Sequence, residues 1–176
     1  MEEGTWMGRP VKGAGRITRL ALLTAIALTI FLAEAQIPAL TAVPGVKLGL
    51  ANIVTVYAMF ALGPGDALLV LSARVFLGAV FSGQPMTLIY SAAGGLLSWC
   101  VLCLLGRLLT DRQIWLASPV AAIFHNIGQL LAAAAVLRSW SVLAWLPYLV
   151  IAAVLAGLFT GVAAQALLRR LERIQK

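Results

Sequence analysis

The feature that most constrains this chain is a succession of apolar runs, each near the length of a bilayer crossing and separated by only a few polar, glycine or proline residues. A spanning helix needs roughly 20 apolar residues. The first run, Leu20 to Ala33, follows a basic flank of Arg9, Lys12, Arg16 and Arg19. A second, from about Val46 to Leu62, stops at Gly63-Pro64-Gly65, a turn-forming triplet. Asp66 is read as the cap of a third span reaching about Phe81, which Ser82-Gly83-Gln84-Pro85 interrupts. The remaining spans are placed at about Met86 to Leu105, Pro119 to Leu137 and Val142 to Leu168, with Pro119 read as a first-turn proline. The expectation is an all-α membrane protein of about six transmembrane helices.

Little else fits in the chain. With 62% hydrophobic residues, 11% charged residues and a mean hydropathy of +0.99, most of its surface must be solvated by lipid. The division expected is a cytoplasmic tail over 1–16, one six-helix domain over 17–168 and a second cytoplasmic tail over 169–176. The net charge of +7 does not signify nucleic acid, because the basic residues gather at span ends.

Those residues also orient the chain. With the N-terminus inside, Arg9, Lys12, Arg16, Arg19, Arg107, Arg112, Arg169, Arg170, Arg173 and Lys176 are cytoplasmic, Lys47 and Arg138 lie outside, and Arg74 is within the membrane. This bias places both termini in the cytoplasm, in the cell membrane. The basic flank leading to Ala33-Glu34-Ala35 also has the pattern of a secretory signal, and cleavage after Ala35 would leave five spans with the same C-terminal placement.

Charged and strongly polar side chains inside hydrocarbon are costly, so each needs a reason. Glu34 ends span one, Lys47 and Asn52 lie in the outer half of span two, and Arg74 is near the middle of span three. On span five, His125, Asn126 and Gln129 are spaced to share one side of a helix. Together these seven residues are candidates for one substrate-binding cavity. Arg74 is either an anion-binding group or half of an ion pair with Glu34. The histidine cluster serves a ligand or interhelical hydrogen bonds, and Glu34 and Lys47 bind or merely reach toward the interface. Lys47 and Arg74 outnumber Glu34, so an anionic substrate is expected.

Catalysis is not expected. The six acidic residues form no paired or aspartate-rich cluster that would hold magnesium on a diphosphate, there is one histidine, and neither G-x-x-x-x-G-K-[ST] nor H-E-x-x-H occurs. No cofactor and no metal site is implied. Cys100 and Cys103, a C-x-x-C within span four, are read as two small buried side chains, with a redox role as the alternative. Ala153, Gly157 and Gly161 on span six, and Ser91 and Gly95 on span four, are spaced for close helix contact, within the monomer or across a dimer.

The segment Pro44-Gly45-Val46-Lys47-Leu48-Gly49-Leu50-Ala51-Asn52-Ile53-Val54-Thr55 resembles the Gx transporter family, whose members are often labelled heptaprenyl diphosphate synthase component I. Arg74-Val75-Phe76-Leu77-Gly78, Ser91-Ala92-Ala93-Gly94-Gly95 and His125-Asn126-Ile127-Gly128-Gln129 resemble its later segments, so the likeness runs from about Arg16 to Leu168. That family in turn is similar to the S components of energy-coupling-factor transporters. The resemblance implies an S-component-like bundle with an outward-facing pocket for a small molecule. It also implies docking onto a transmembrane coupling subunit with ATPases through an A-x-x-x-A face on helix one, which Ala21 and Ala25 match. The synthase label points instead to a noncatalytic membrane partner of an isoprenoid enzyme, since Asp66 and Asp111 are the only aspartates.

Overall fold

A computed structural model describes residues 13–36, 49–109 and 113–174, and every regular element among them is helical. In chain order they are α1 (Ala14–Glu34), α2 (Asn52–Leu62), α3 (Pro64–Ser82), α4 (Pro85–Leu108), α5 (Ile114–Leu137), a short 3-10 turn (Trp140–Trp145) and α6 (Leu146–Ile174). Five stretches are long and apolar enough to cross a membrane: α1, α3, α4, α5 and Trp140–Arg170. The all-helical, multi-pass architecture expected from the apolar runs is therefore present.

The second run departs from expectation. Its helix begins at Asn52, not near Val46, and has 11 residues. At 1.5 Å per residue it is roughly 16 Å long, about half of a ~30 Å hydrocarbon core. Gly49, with φ 80°, belongs to the left-handed region and is incompatible with helical continuation. Short as it is, α2 packs against all five other helices. Its side chains are apolar nearly all round, as a helix enclosed on every side requires, and eight of the 11 are buried.

Three other boundaries differ. Pro119 lies inside α5, which starts at Ile114. Asp66 is in the first turn of α3 but makes no capping hydrogen bond; Gly63 is the N-cap and Pro64 begins the helix. Asp66 accepts a hydrogen bond from Arg16 Nε at 3.0 Å instead, tying the starts of α1 and α3 together at one end of the bundle. Finally, α6 continues to Ile174, so the expected C-terminal tail from Arg169 is helical over its described part.

Glycines set the closest helix contacts. A Cβ on Gly157 would fall 2.4 Å from Pro119 Cα, and one on Gly161 would fall 2.8 Å from Ser118 Cβ, so α6 meets α5 almost backbone to backbone. Ala153 is fully buried on the same face. Between α4 and α5 the contact is made by Gly128, whose Cβ would lie 2.8 Å from Gly94 Cα. Gly95 meets Leu71 of α3, and Gly78 of α3 meets the Phe31 ring of α1. The small-residue spacing on these helices serves contacts within one chain.

Candidate functional site

The site begins where α1 ends. Glu34 is 6% exposed, and its carboxylate oxygens accept hydrogen bonds from Gly49 N at 2.7 Å and Leu50 N at 2.9 Å. The amides of Asn52, Ile53 and Val54 then bond back to the carbonyls of Gly49, Leu50 and Ala51. The acid thus satisfies two amides just ahead of α2, where the helix dipole also favours negative charge.

Gly49 is held against His125: a Cβ there would fall 2.8 Å from His125 Cδ2 and 3.0 Å from Nε2. On its other side the imidazole meets Gly94 of α4, where a Cβ would lie 3.3 Å from His125 Cε1. Two glycines from different segments therefore bracket one buried ring, and Gln129, one turn on, contacts His125 Nε2 at 2.6 Å. Asn52, the first residue of α2, donates from Nδ2 to Ser98 Oγ of α4 at 3.0 Å.

Arg74 completes the group. It is 2% exposed at the middle of α3, within electrostatic reach of both Glu34 and His125, and its guanidinium carbon lies 5.8 Å from the centre of the Phe31 ring. Its Nε and Nη2 atoms are buried and have no hydrogen-bond partner among the described residues. The same holds for Asn52 Oδ1, His125 Nδ1 and Asn126 Oδ1. Buried polar atoms are almost always paired, and Arg74 and Asn52 depart from that rule in the interior of the bundle.

Of the residues singled out in the sequence, Glu34, Asn52, Arg74, His125 and Gln129 come together from α1, α2, α3 and α5. Lys47 lies outside the described residues. Asn126 turns to a different neighbour: its Nδ2 donates to the Leu149 carbonyl of α6 at 3.0 Å, so it does not share the side of His125 and Gln129. Ala21 and Ala25 lie on an exposed face of α1, with Ile17, Leu22 and Ile26 beside them. Cys100 is exposed and Cys103 half-buried, both free, which corrects the reading of two buried side chains. Gly49, Gly94 and Ser98 were not singled out as site residues; the helix-breaking glycine inside the second apolar run was the available signal for the first. Among the described residues, no three His, Cys, Asp or Glu side chains converge as a metal site would require.

Comparison with curated proteins finds no match, and neither does comparison with solved structures. The family model for heptaprenyl diphosphate synthase component I matches residues 23–167, which include every described member of the site, all of α2 to α5 and most of α6. The chain belongs to the heptaprenyl diphosphate synthase component I family.

Proposed function

We propose that this protein is a substrate-binding and transport subunit of the cytoplasmic membrane, similar to the S components of energy-coupling-factor transporters and serving a small anionic metabolite. The observation that carries this reading is Arg74, a buried cation in the middle of α3 with two donors unpaired among the described residues, within electrostatic reach of Glu34 on α1 and His125 on α5. A charge at such a depth costs roughly 2.5–3.5 kcal/mol on insertion scales, which a bundle of this size bears more readily for a function than for packing. The reading is noncatalytic: the site offers hydrogen bonds and one guanidinium, with no paired carboxylates for acid-base chemistry. Concentrative uptake would draw on a separate ATPase module, since the chain has no phosphate-binding loop.

The exposed strip around Ala21 and Ala25 supports a docking face for the membrane subunit of such a module, because small side chains let a partner helix approach closely. Native purification followed by mass spectrometry of retained small molecules and proteins tests the reading as a whole. A retained anion and a coupling subunit are expected. Ala21→Leu with Ala25→Leu should remove the partner and keep both the fold and the small molecule, as neither residue is packed inside the bundle. Transport in liposomes holding this protein alone would refute the need for a module.

The family description favours a second reading, a noncatalytic membrane partner of a prenyl diphosphate synthase. Recovery of a soluble prenyl synthase in the same purification, with no retained small molecule, would establish it in place of the first.

A further inference from the structure

The unpaired atoms at the site carry more than the sign of the ligand's charge. Arg74 Nε and Nη2 are the two donors along one edge of the planar guanidinium, and both are buried without a partner among the described residues. That edge matches the paired oxygens of a single carboxylate or phosphate group. Among the described residues no hydrogen bond joins Glu34 to that edge, although the two charges lie within electrostatic reach. Asn52 adds a second requirement. Its amide nitrogen is used on Ser98, which leaves Oδ1, an acceptor on a residue 5% exposed, in need of a donor.

Charge counting then separates the candidate oxyanions. Among the described residues of the cluster the formal charges are Arg74 and Glu34, one of each sign, and the sequence adds at most Lys47. A phosphate ester brings a charge of about −1.5 to −2 at neutral pH, and a diphosphate brings more. Either would leave uncompensated negative charge beside the Glu34 carboxylate in a medium that solvates it poorly. A monocarboxylate always leaves less: one unit against Arg74 and Glu34 alone, and none where Lys47 is counted, when a phosphate ester would still leave about −0.5 to −1.

Resting on the substrate-binding reading above, we infer that the ligand is a small monocarboxylate bearing at least one hydrogen-bond donor, a hydroxyl or an amine, and is not a phosphate or diphosphate ester. The carboxylate lies along the Nε–Nη2 edge of Arg74, and the donor is received by Asn52 Oδ1.

The test uses the full chain in detergent, incubated with a small-molecule extract of the expressing cells, washed, and examined by mass spectrometry beside an unrelated membrane protein. Wild-type protein should enrich a phosphorus-free carboxylic acid with a hydroxyl or amino group, and millimolar inorganic pyrophosphate should not displace it. Arg74→Lys keeps the charge and loses the two-donor edge, so enrichment should fall on the order of tenfold. A phosphate site would tolerate that change far better, since lysine binds phosphate as a point charge. Asn52→Ala should also weaken retention, and thermal unfolding of each variant shows whether it is folded; the pyrophosphate competition on wild type stands even where a variant is not. Enrichment of a phosphorylated molecule, displacement by pyrophosphate, or full retention by folded Arg74→Lys would overturn the assignment and leave a substrate-binding protein in place. Absence of any enrichment over the control protein would overturn both.

Discussion

Replacing Glu34 by glutamine exchanges one carboxylate oxygen for an NH2 group and tests the linchpin between α1 and α2. The carboxylate oxygens receive Gly49 N at 2.7 Å and Leu50 N at 2.9 Å. Glutamine keeps the shape and one acceptor but turns an NH2 group toward the other amide. One hydrogen bond to a charged group, worth about 1.5–3 kcal/mol, is lost. The interaction of the carboxylate with the positive end of a helix, up to ~2 kcal/mol where partly buried, is lost with it. The two terms share one charge and do not add fully, so a loss of about 2–4 kcal/mol in the local stability of this segment is expected. Amide hydrogen exchange of the peptide spanning Gly49 to Thr55 reads this directly. Where exchange reports local opening, that loss accelerates it by roughly 30-fold to 1,000-fold. Peptides in α6 should be little changed. Exchange at wild-type rates in the Gly49 segment would show that Glu34 does not hold it, and the account of how Gly49 is kept against His125 would fall.

Two further outcomes follow from the packing and the orientation. Gly157→Ala puts a Cβ 2.4 Å from Pro119 Cα, an atom that cannot rotate away; separation of α5 from α6 should cost about 1–3 kcal/mol in detergent unfolding with no change in oligomeric state, whereas a loss of dimer with an unaffected monomer would make the glycine strip an intermolecular seam. Tags at residues 1 and 176 should both be cytoplasmic and cysteines placed between Gln36 and Pro44 should label from outside, and an intact mass beginning at Gln36 would replace six spans with five.

The apolar runs were legible because the hydrocarbon core demands them, and five of the six appear as long helices near their expected places. The errors have local causes. Pro119 has the look of a first-turn residue, yet it stands five residues into α5, where it removes the single bond its amide would have made to the Trp115 carbonyl. Hydropathy alone extends the second run back to about Val46, but Gly49 takes a positive φ and cannot belong to the helix. Polar residues within spans were legible as a set, since each is conspicuous in hydrocarbon. Their partners were not. No one-dimensional spacing says that the Glu34 carboxylate meets the amides of Gly49 and Leu50, or that Asn126, adjacent to His125, faces α6. Backbone groups and glycines build half of this site, and a sequence gives them no chemical label.

The brevity of α2 bears on how the chain enters the bilayer. Gly63, with φ 97° and ψ 172°, is the single residue between the end of α2 at Leu62 and the start of α3 at Pro64. One of these helices is too short to be retained as a span by itself, and the other carries Arg74 at its centre, where insertion is opposed by several kcal/mol. A lateral gate that judged them one at a time would reject the first and disfavour the second. Joined by one residue, they offer a hairpin in which α2 shields the polar side of α3 from lipid from the outset. Entering as one unit is the favoured course, since α2 then covers part of α3 before the remaining helices pack around it.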